Sequence, residues 1–210
     1  MTLASCDSRK TAGENPFFTE WDTPHGVPPF DKILPEHFMP AFERGMSLHE
    51  AEIDAITSNK DEATFENTIL AYDNAGQMLA QTELVFGMLC AAETNDRMQA
   101  LQEQAMPLLA AHRDKIRLDD KLFVRVKEVY DRRAALGLDA EQMRLLQKTY
   151  DSFVRAGALL DAEQKARLKE INGQLSLTAV KFGNNILAEN NNFVLELKSD
   201  ELDGLPAGIR

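Results

Sequence analysis

The chain has few basic residues, few cysteines and no long apolar run, and each shortage excludes a class of function. Its 23 Lys and Arg residues stand against 34 Asp and Glu residues, for a net charge of −11, so its surface would repel nucleic acids and other polyanions. No apolar run approaches the roughly 18–20 residues of a membrane-spanning helix. Two cysteines cannot build a disulfide framework. The remaining composition, 44% apolar and 27% charged in 210 residues, is typical of a globular protein with a sizeable core.

Motifs for catalysis are also missing. The sequence contains no glycine-rich phosphate loop and no G-x-S-x-G elbow. A zinc peptidase needs two imidazoles one helical turn apart, a carboxylate and a third ligand. The nearest approach begins at His49 and reads H-E-A-E-I, so Ile53 stands where the second histidine would be. We therefore expect no catalytic residue and no metal ligand in this segment.

The four histidines are better interpreted as structural residues. His49 is expected on the flank of a helix, and His37, twelve positions earlier, lies about 120° away around that helix and cannot complete a ligand pair. His25 sits among prolines, and His112 falls on an apolar helical stripe. None of the four is predicted to bind a metal.

The two cysteines carry different predictions. Residues 3–6, L-A-S-C, match the lipobox of bacterial lipoproteins, and the polar residues 7–15 would form a tether. We therefore predict lipidation of Cys6 and a location in the bacterial periplasm or at the cell surface. The charged and apolar parts of a signal peptide do not precede the box, so a lone cysteine in a disordered leader, with a cytoplasmic location, is the alternative. Cys90 lies in an apolar helical stretch and is expected to be buried.

Hydrophobic periodicity predicts an all-α fold, an irregular domain of about six helices with an extended proline-rich segment ahead of it. At most one short strand is expected, near residues 193–197. The predicted organisation is a disordered leader with a candidate lipobox at 1–15, a helical N-terminal domain at 16–192, and a connector at 193–210. That connector would lead into a catalytic domain missing from this sequence.

Helix starts are the clearest local signals. Thr64, Asp139 and Asp161 are expected as N-caps, the last two within capping boxes. Two further helices are expected to begin near Asn95 and after Asp119. The segment from Thr64 is predicted as one long helix reaching Phe86, and Pro107 is predicted to kink or split the next helix near Met106. The last helix carries an apolar stripe expected to pack in the core: Leu168, Ile171, Leu175, Phe182 and Ile186.

The stretch from Pro28 to Met46 has an unusual pattern. Four prolines fall within thirteen residues and lead into a helix with regularly spaced phenylalanines. This pattern resembles the opening of the zinc oligopeptidases of the thimet oligopeptidase and oligopeptidase A family, most closely the bacterial dipeptidyl carboxypeptidase branch. The likeness runs from about residue 15 to the end, through F-E-N-T at 65–68, L-F-V-R-V-K at 122–127, Y-D-S-F-V-R-A at 150–156 and I-N at 171–172.

The resemblance implies a function that this segment does not perform alone. The family fold is an almost wholly helical ellipsoid with a deep cleft and zinc at its floor, and the N-terminal helices form one wall. The full-length parent would be a zinc metallopeptidase that hydrolyses oligopeptides, releasing C-terminal dipeptides if the closest likeness holds, or cutting internally as its relatives do. The family's ligands have no matching positions here.

A competing hypothesis is a non-catalytic helical interaction or scaffold protein, anchored by lipid if Cys6 is modified. The two hypotheses differ in their expected surfaces. A segment belonging to a larger core should expose a larger apolar patch than a self-sufficient domain does.

Overall fold

The computed structural model describes residues 15–198, 202–204, 206 and 208. Six helices of 12–31 residues dominate this part of the chain, which confirms the predicted all-α class. The helices are α1 (Phe38–Ser58), the single turn α2 (Ala71–Asp73), α3 (Gln77–Ala92), α4 (Asp96–Arg117), α5 (Asp120–Asp131), α6 (Ala140–Arg155) and α7 (Ala162–Asn192). A π-helical segment, Phe65–Leu70, leads directly into α2. Residues 193–198 have no regular structure, so the strand considered near 193–197 does not form among the described residues.

The five predicted helix starts are confirmed. The Thr64 hydroxyl accepts a hydrogen bond from the Asn67 backbone N–H at 3.1 Å. The side chains of Asn95 and Asp119 accept from the third residue of α4 and α5 in the same way. Asp139 and Asp161 form complete capping boxes with Gln142 and Gln164. Such caps are each worth about 1 kcal/mol because they satisfy N–H groups that the first helical turn leaves without a partner.

Two predictions about helix continuity were wrong. The helix from Thr64 ends at Asp73, and the chain turns through Gly76 at φ +74° before α3 begins, so Phe86 lies on a separate helix. Conversely, α4 runs unbroken through Pro107. The Glu103 carbonyl loses its usual donor to this proline, but Glu103 lies on an exposed part of α4, where water can replace the missing bond.

The core consists of two apolar clusters. The phenylalanine cluster joins the proline-rich segment to α1, α3 and α4, and its central rings belong to Phe38, Phe42 and Phe86. The second, which we call the α5–α6 cluster, is built around Leu122, Val126, Val129, Leu146 and Phe153. Helices α1 and α4 contribute to both clusters, so they form the frame that connects them.

Helix α7 packs along α4 in the opposite direction. Lys165 pairs with Asp120 and, further along α7, Asn172 donates to Asp114 at 2.8 Å, so the partners move backwards as α7 advances. The predicted core stripe of α7 is largely wrong, because Leu168 is half-buried but Ile171, Leu175, Phe182 and Ile186 are exposed. No helix of the described chain has both the length and the apolar character to cross a bilayer.

Candidate functional site

A histidine pair lies where the two apolar clusters meet. His49 follows Phe42 and precedes Ile53 on α1, and His112 lies between Leu109 and Ile116 on α4. His112 Nε2 and His49 Nδ1 are 3.0 Å apart, so one imidazole donates to the other and ties α1 to α4. The side chain of His112 is only 3% exposed.

The turn before α3 closes over this pair. A Cβ on Gly76 would come within 2.9 Å of His49 Nδ1, so only glycine fits against the imidazole without displacing it. Its positive φ gives glycine a second advantage here. The Gly76 N–H also donates to Glu52 Oε2 at 2.7 Å, which fixes the turn to α1. The chain was predicted to be helical at Gly76, but it forms a turn that packs against His49.

Burial lowers the pKa of both imidazoles. Desolvation is the main cause in each case, and for His49 the neighbouring His112 lowers the pKa further, while Glu50 and Glu52 oppose the shift. For His112 the opposing carboxylate is chiefly Glu50, whose Oε1 lies 3.5 Å from His112 Nδ1. That separation is too long for a hydrogen bond, and Nδ1 is buried without another partner. The pair is therefore held neutral near pH 7.

Glu50 connects the pair to the surface. Its Oε2 accepts from Lys115 Nζ at 2.7 Å, and this hydrogen bond is the first cause that holds the pKa of Glu50 below its ordinary value. The carboxylate is engaged by a cation on one side and faces an imidazole on the other. It is consequently ionised at neutral pH and is not available as a general acid.

A cavity of about 210 Å³ opens beside the pair. His49 and His112 line one side, and the remaining walls come from α2, the turn between α2 and α3, and the helices α3 and α4. Two of its charged side chains pair with each other, since Arg113 Nη2 lies 3.3 Å from Glu83 Oε2, and the positive charge of Arg117 lies close enough to Tyr72 to oppose the rise in the pKa of its hydroxyl that burial causes. The cavity holds paired charges rather than a free nucleophile or base.

The residues present do not fit a zinc site. Tetrahedral zinc needs three or four donors that converge on one point. In the described part of the chain no group of three His, Cys, Asp or Glu side chains is placed to hold a metal ion. The two imidazoles hydrogen-bond each other instead, and the isoleucine one turn after His49 is buried in the core.

The other predicted site residues lie apart from this pair. His37 is buried, and its Nδ1 accepts from the Leu34 N–H at 3.0 Å, which caps the turn leading into α1. His25 is exposed at φ +60° in a surface turn. Cys90 is half-buried rather than fully buried, and burial raises the pKa of its thiol. Cys6, the predicted lipidation site, lies outside the described residues.

Sequence reasoning missed two buried polar connections. The pairing of His49 with His112 spans 63 positions and leaves no local pattern. The second connection is Arg125, whose guanidinium donates to the carbonyls of Asn59 and Asp61 at 3.0 and 3.1 Å and to Asn67 Oδ1 at 3.1 Å. A basic residue among the apolar positions of α5 was the available signal for it.

Comparison with known proteins places the chain beside bacterial peptidases. It is 41% identical over 176 residues to the dipeptidyl carboxypeptidase of Escherichia coli strain K12, covering 84% of this chain and 26% of that protein. The dipeptidyl carboxypeptidase of Salmonella typhimurium is 38% identical over 174 residues, with 83% and 26% covered. Oligopeptidase A of Escherichia coli is 24% identical over 185 residues, with 88% and 27% covered. The chain spans about a quarter of the length of these relatives and matches their N-terminal part. No protein-family model matches it.

Proposed function

Because this chain is a homologue of the N-terminal part of the dipeptidyl carboxypeptidases and, more distantly, of oligopeptidase A, we propose that it forms one wall of the substrate cleft of a zinc-dependent peptidase. The substrates are short, unfolded peptides, and the products are dipeptides released from their C-termini. The observation that carries the proposal is the 41% identity to a dipeptidyl carboxypeptidase over most of this chain.

The described residues support a positioning role rather than a chemical one. The candidate site contains an imidazole pair whose members bind each other and carboxylates that are engaged by cations. Zinc would therefore be held by residues outside this chain, in the part of the full-length protein that corresponds to the remaining three quarters of the relatives. When bound, zinc supplies the Lewis acidity for peptide hydrolysis, and this chain contributes the cleft wall that limits access.

The location of the protein is part of the proposal. If Cys6 carries lipid, the enzyme acts in the periplasm or at the cell surface on peptides that pass through it. Mass spectrometry of the native protein tests this directly. A diacylglyceryl cysteine at position 6 as the first residue of the mature protein supports the proposal. An unmodified Cys6 that is still preceded by its upstream residues contradicts it.

Product analysis with the full-length protein tests the proposed activity. An N-terminally blocked nonapeptide with a free C-terminus should be shortened two residues at a time, and mass spectrometry should show dipeptides accumulating from the C-terminal end. An otherwise identical peptide with an amidated C-terminus is the control, since it should be cleaved far more slowly if the terminal carboxylate is recognised.

The alternatives give different products. Internal fragments of varied length from both peptides would indicate an endo-acting oligopeptidase and would contradict dipeptide release. Absence of any cleavage in the presence of zinc, together with a gene that encodes no further domain, would leave the helical scaffold hypothesis.

A further inference from the structure

Helix α7 presents two different faces. On one face Asn172 donates to Asp114 of α4, Ser176 is half-buried and Val180 is buried. Beside this face runs a row of four large apolar side chains that point away from the core: Ile171, Leu175, Phe182 and Ile186. Their spacing of 4, 7 and 4 residues keeps them in one line about 22 Å long. We call this line the α7 strip.

The strip is exposed far more than core residues are. The exposed fractions are 62% for Leu175 and 66% for Phe182. The row continues into the irregular segment after α7, where Phe193, Val194 and Leu195 are 68–76% exposed. In that segment no backbone hydrogen bond joins residues 194–197 to another described residue. An apolar line of this length, continued by an apolar segment without regular structure, is typical of a surface that a partner covers.

We infer that the α7 strip and residues 193–197 form the surface against which the catalytic part of the same protein packs. This inference rests on the proposed function and names the surface through which the two parts join. The occupant is argued from length and from continuity. The relatives are about three times as long as this chain, so a full-length protein of their length, as the proposed function requires, has a large enough remaining part to cover the strip.

Continuity favours the same polypeptide over a separate molecule. The strip runs directly into residues 193–197, so a domain that follows this segment is tethered beside it at a high effective concentration. A second copy of this chain would instead have to bring together two bodies of net charge −11. With a partner strand available, residues 193–197 would also form a strand, which Phe193 and Val194 favour.

Thiol accessibility in the full-length protein tests the assignment. The variants are Leu175→Cys and Phe182→Cys, each compared with Val124→Cys on α5, where the valine is 53% exposed among charged neighbours. A bulky maleimide is added to the native protein, and labelling at each position is followed by peptide mass spectrometry, which separates it from Cys6 and Cys90. We expect labelling at positions 175 and 182 to be at least tenfold slower than at 124, and the difference to vanish in urea.

The other outcomes are distinguishable. Equal labelling at all three positions in the native protein overturns the inference. Protection that disappears on dilution, together with the mass of a dimer, assigns the strip to a second copy and also overturns it. Peptidase activity is measured separately on the unmodified protein, so protection without activity defeats only the proposed function, and activity without protection defeats only this inference.

Backbone hydrogen exchange gives a second readout that needs no substitution. Amides of residues 194–197 should exchange slowly in the full-length native protein if they pair with the catalytic part. Exchange there as fast as in an unstructured peptide would contradict the predicted strand pairing.

Discussion

At the scale of single residues, the His49–His112 hydrogen bond is a buried polar contact that links α1 to α4 between the two apolar clusters. A neutral imidazole pair can be buried because each ring satisfies part of the other's hydrogen-bonding capacity. Protonating both rings would place two cations 3.0 Å apart. Because both rings are buried, their protonation at low pH should weaken this contact and lower the stability of the fold.

The first prediction concerns pH. Both histidines have a folded-state pKa below the ordinary value of 6.5, so the unfolded chain binds more protons just below that pH. Their contribution to stability is fully present above about pH 6.5 and falls as the pH drops below it, by at most about 1.4 kcal/mol per pH unit for each proton. Urea unfolding at pH 7.5, 6.5 and 5.5 should show this slope.

Two variants test whether this pH dependence comes from the histidine pair: a double substitution of the pair, and a control substitution of a histidine elsewhere. The double variant His49→Gln, His112→Gln should unfold with a weaker dependence on pH in the same range, whereas His25→Gln, at an exposed position, should retain the original slope. An unchanged slope in the double variant would contradict the prediction.

The second prediction concerns Gly76. Gly76→Ala combines a positive φ, which costs about 1–2 kcal/mol for alanine, with a methyl group 2.9 Å from His49 Nδ1. Gly137→Ala is the matched control, because Gly137 has φ +64° and its Cβ would meet nothing within 4 Å. We expect Gly76→Ala to lose at least about 1 kcal/mol more than the control, because the methyl overpacks the turn. Equal losses in denaturant unfolding would show that the histidine contact does not matter.

At the scale of helices and loops, local chemistry determines where helices start, and long-range contacts determine how they are connected. The loop between α1 and the π-helical segment illustrates the second point. It contains no regular structure, yet Arg125 binds two of its carbonyls and also holds Asn67, which itself accepts from the Thr64 N–H at 2.8 Å. One buried side chain thus orders a loop more than 50 positions away.

The third prediction follows from this connection. Arg125→Ala removes three hydrogen bonds and leaves their acceptors partly buried, so we expect a loss of roughly 3 kcal/mol in the free energy of unfolding. Arg97→Ala is the control, since Arg97 forms an exposed ion pair with Glu36, and such pairs contribute less than about 1 kcal/mol. Similar losses for both variants in urea unfolding would refute the assignment of Arg125 as the organiser of this loop.

At the scale of the whole molecule, the described chain folds around its own two clusters while leaving one helix half-covered. Helices α1 and α4 each contribute one end to each cluster, so these two helices join the clusters to each other. The side chains of the α7 strip, in contrast, stay 43–66% exposed among the described residues. The sequence led us to expect a large exposed apolar patch on a segment of a larger core, and the α7 strip is the candidate for that patch.

The fourth prediction concerns metal removal from the full-length protein. Chelation should abolish the proposed peptidase activity, because the activity that we propose depends on zinc. Hydrogen exchange in α3 and α4 should stay unchanged, since no cluster of three or more His, Cys, Asp or Glu side chains among the described residues is placed to hold a metal ion. Zinc should restore activity, and magnesium is the negative control. Faster exchange throughout α4 after chelation would mean that the metal also stabilises this part of the protein.

The sequence by itself determined the helical class and the five helix starts, because a capping side chain bonds a backbone N–H only two or three positions away. It also carried the resemblance to the oligopeptidases, through motifs such as Pro28–Met46 that are contiguous in the chain. Only the tertiary structure decided that His49 meets His112, that the chain breaks at Gly76 and that the apolar row of α7 faces outward. Each of these depends on which helix lies opposite, and hydrophobic periodicity identifies an apolar face without identifying the surface that covers it.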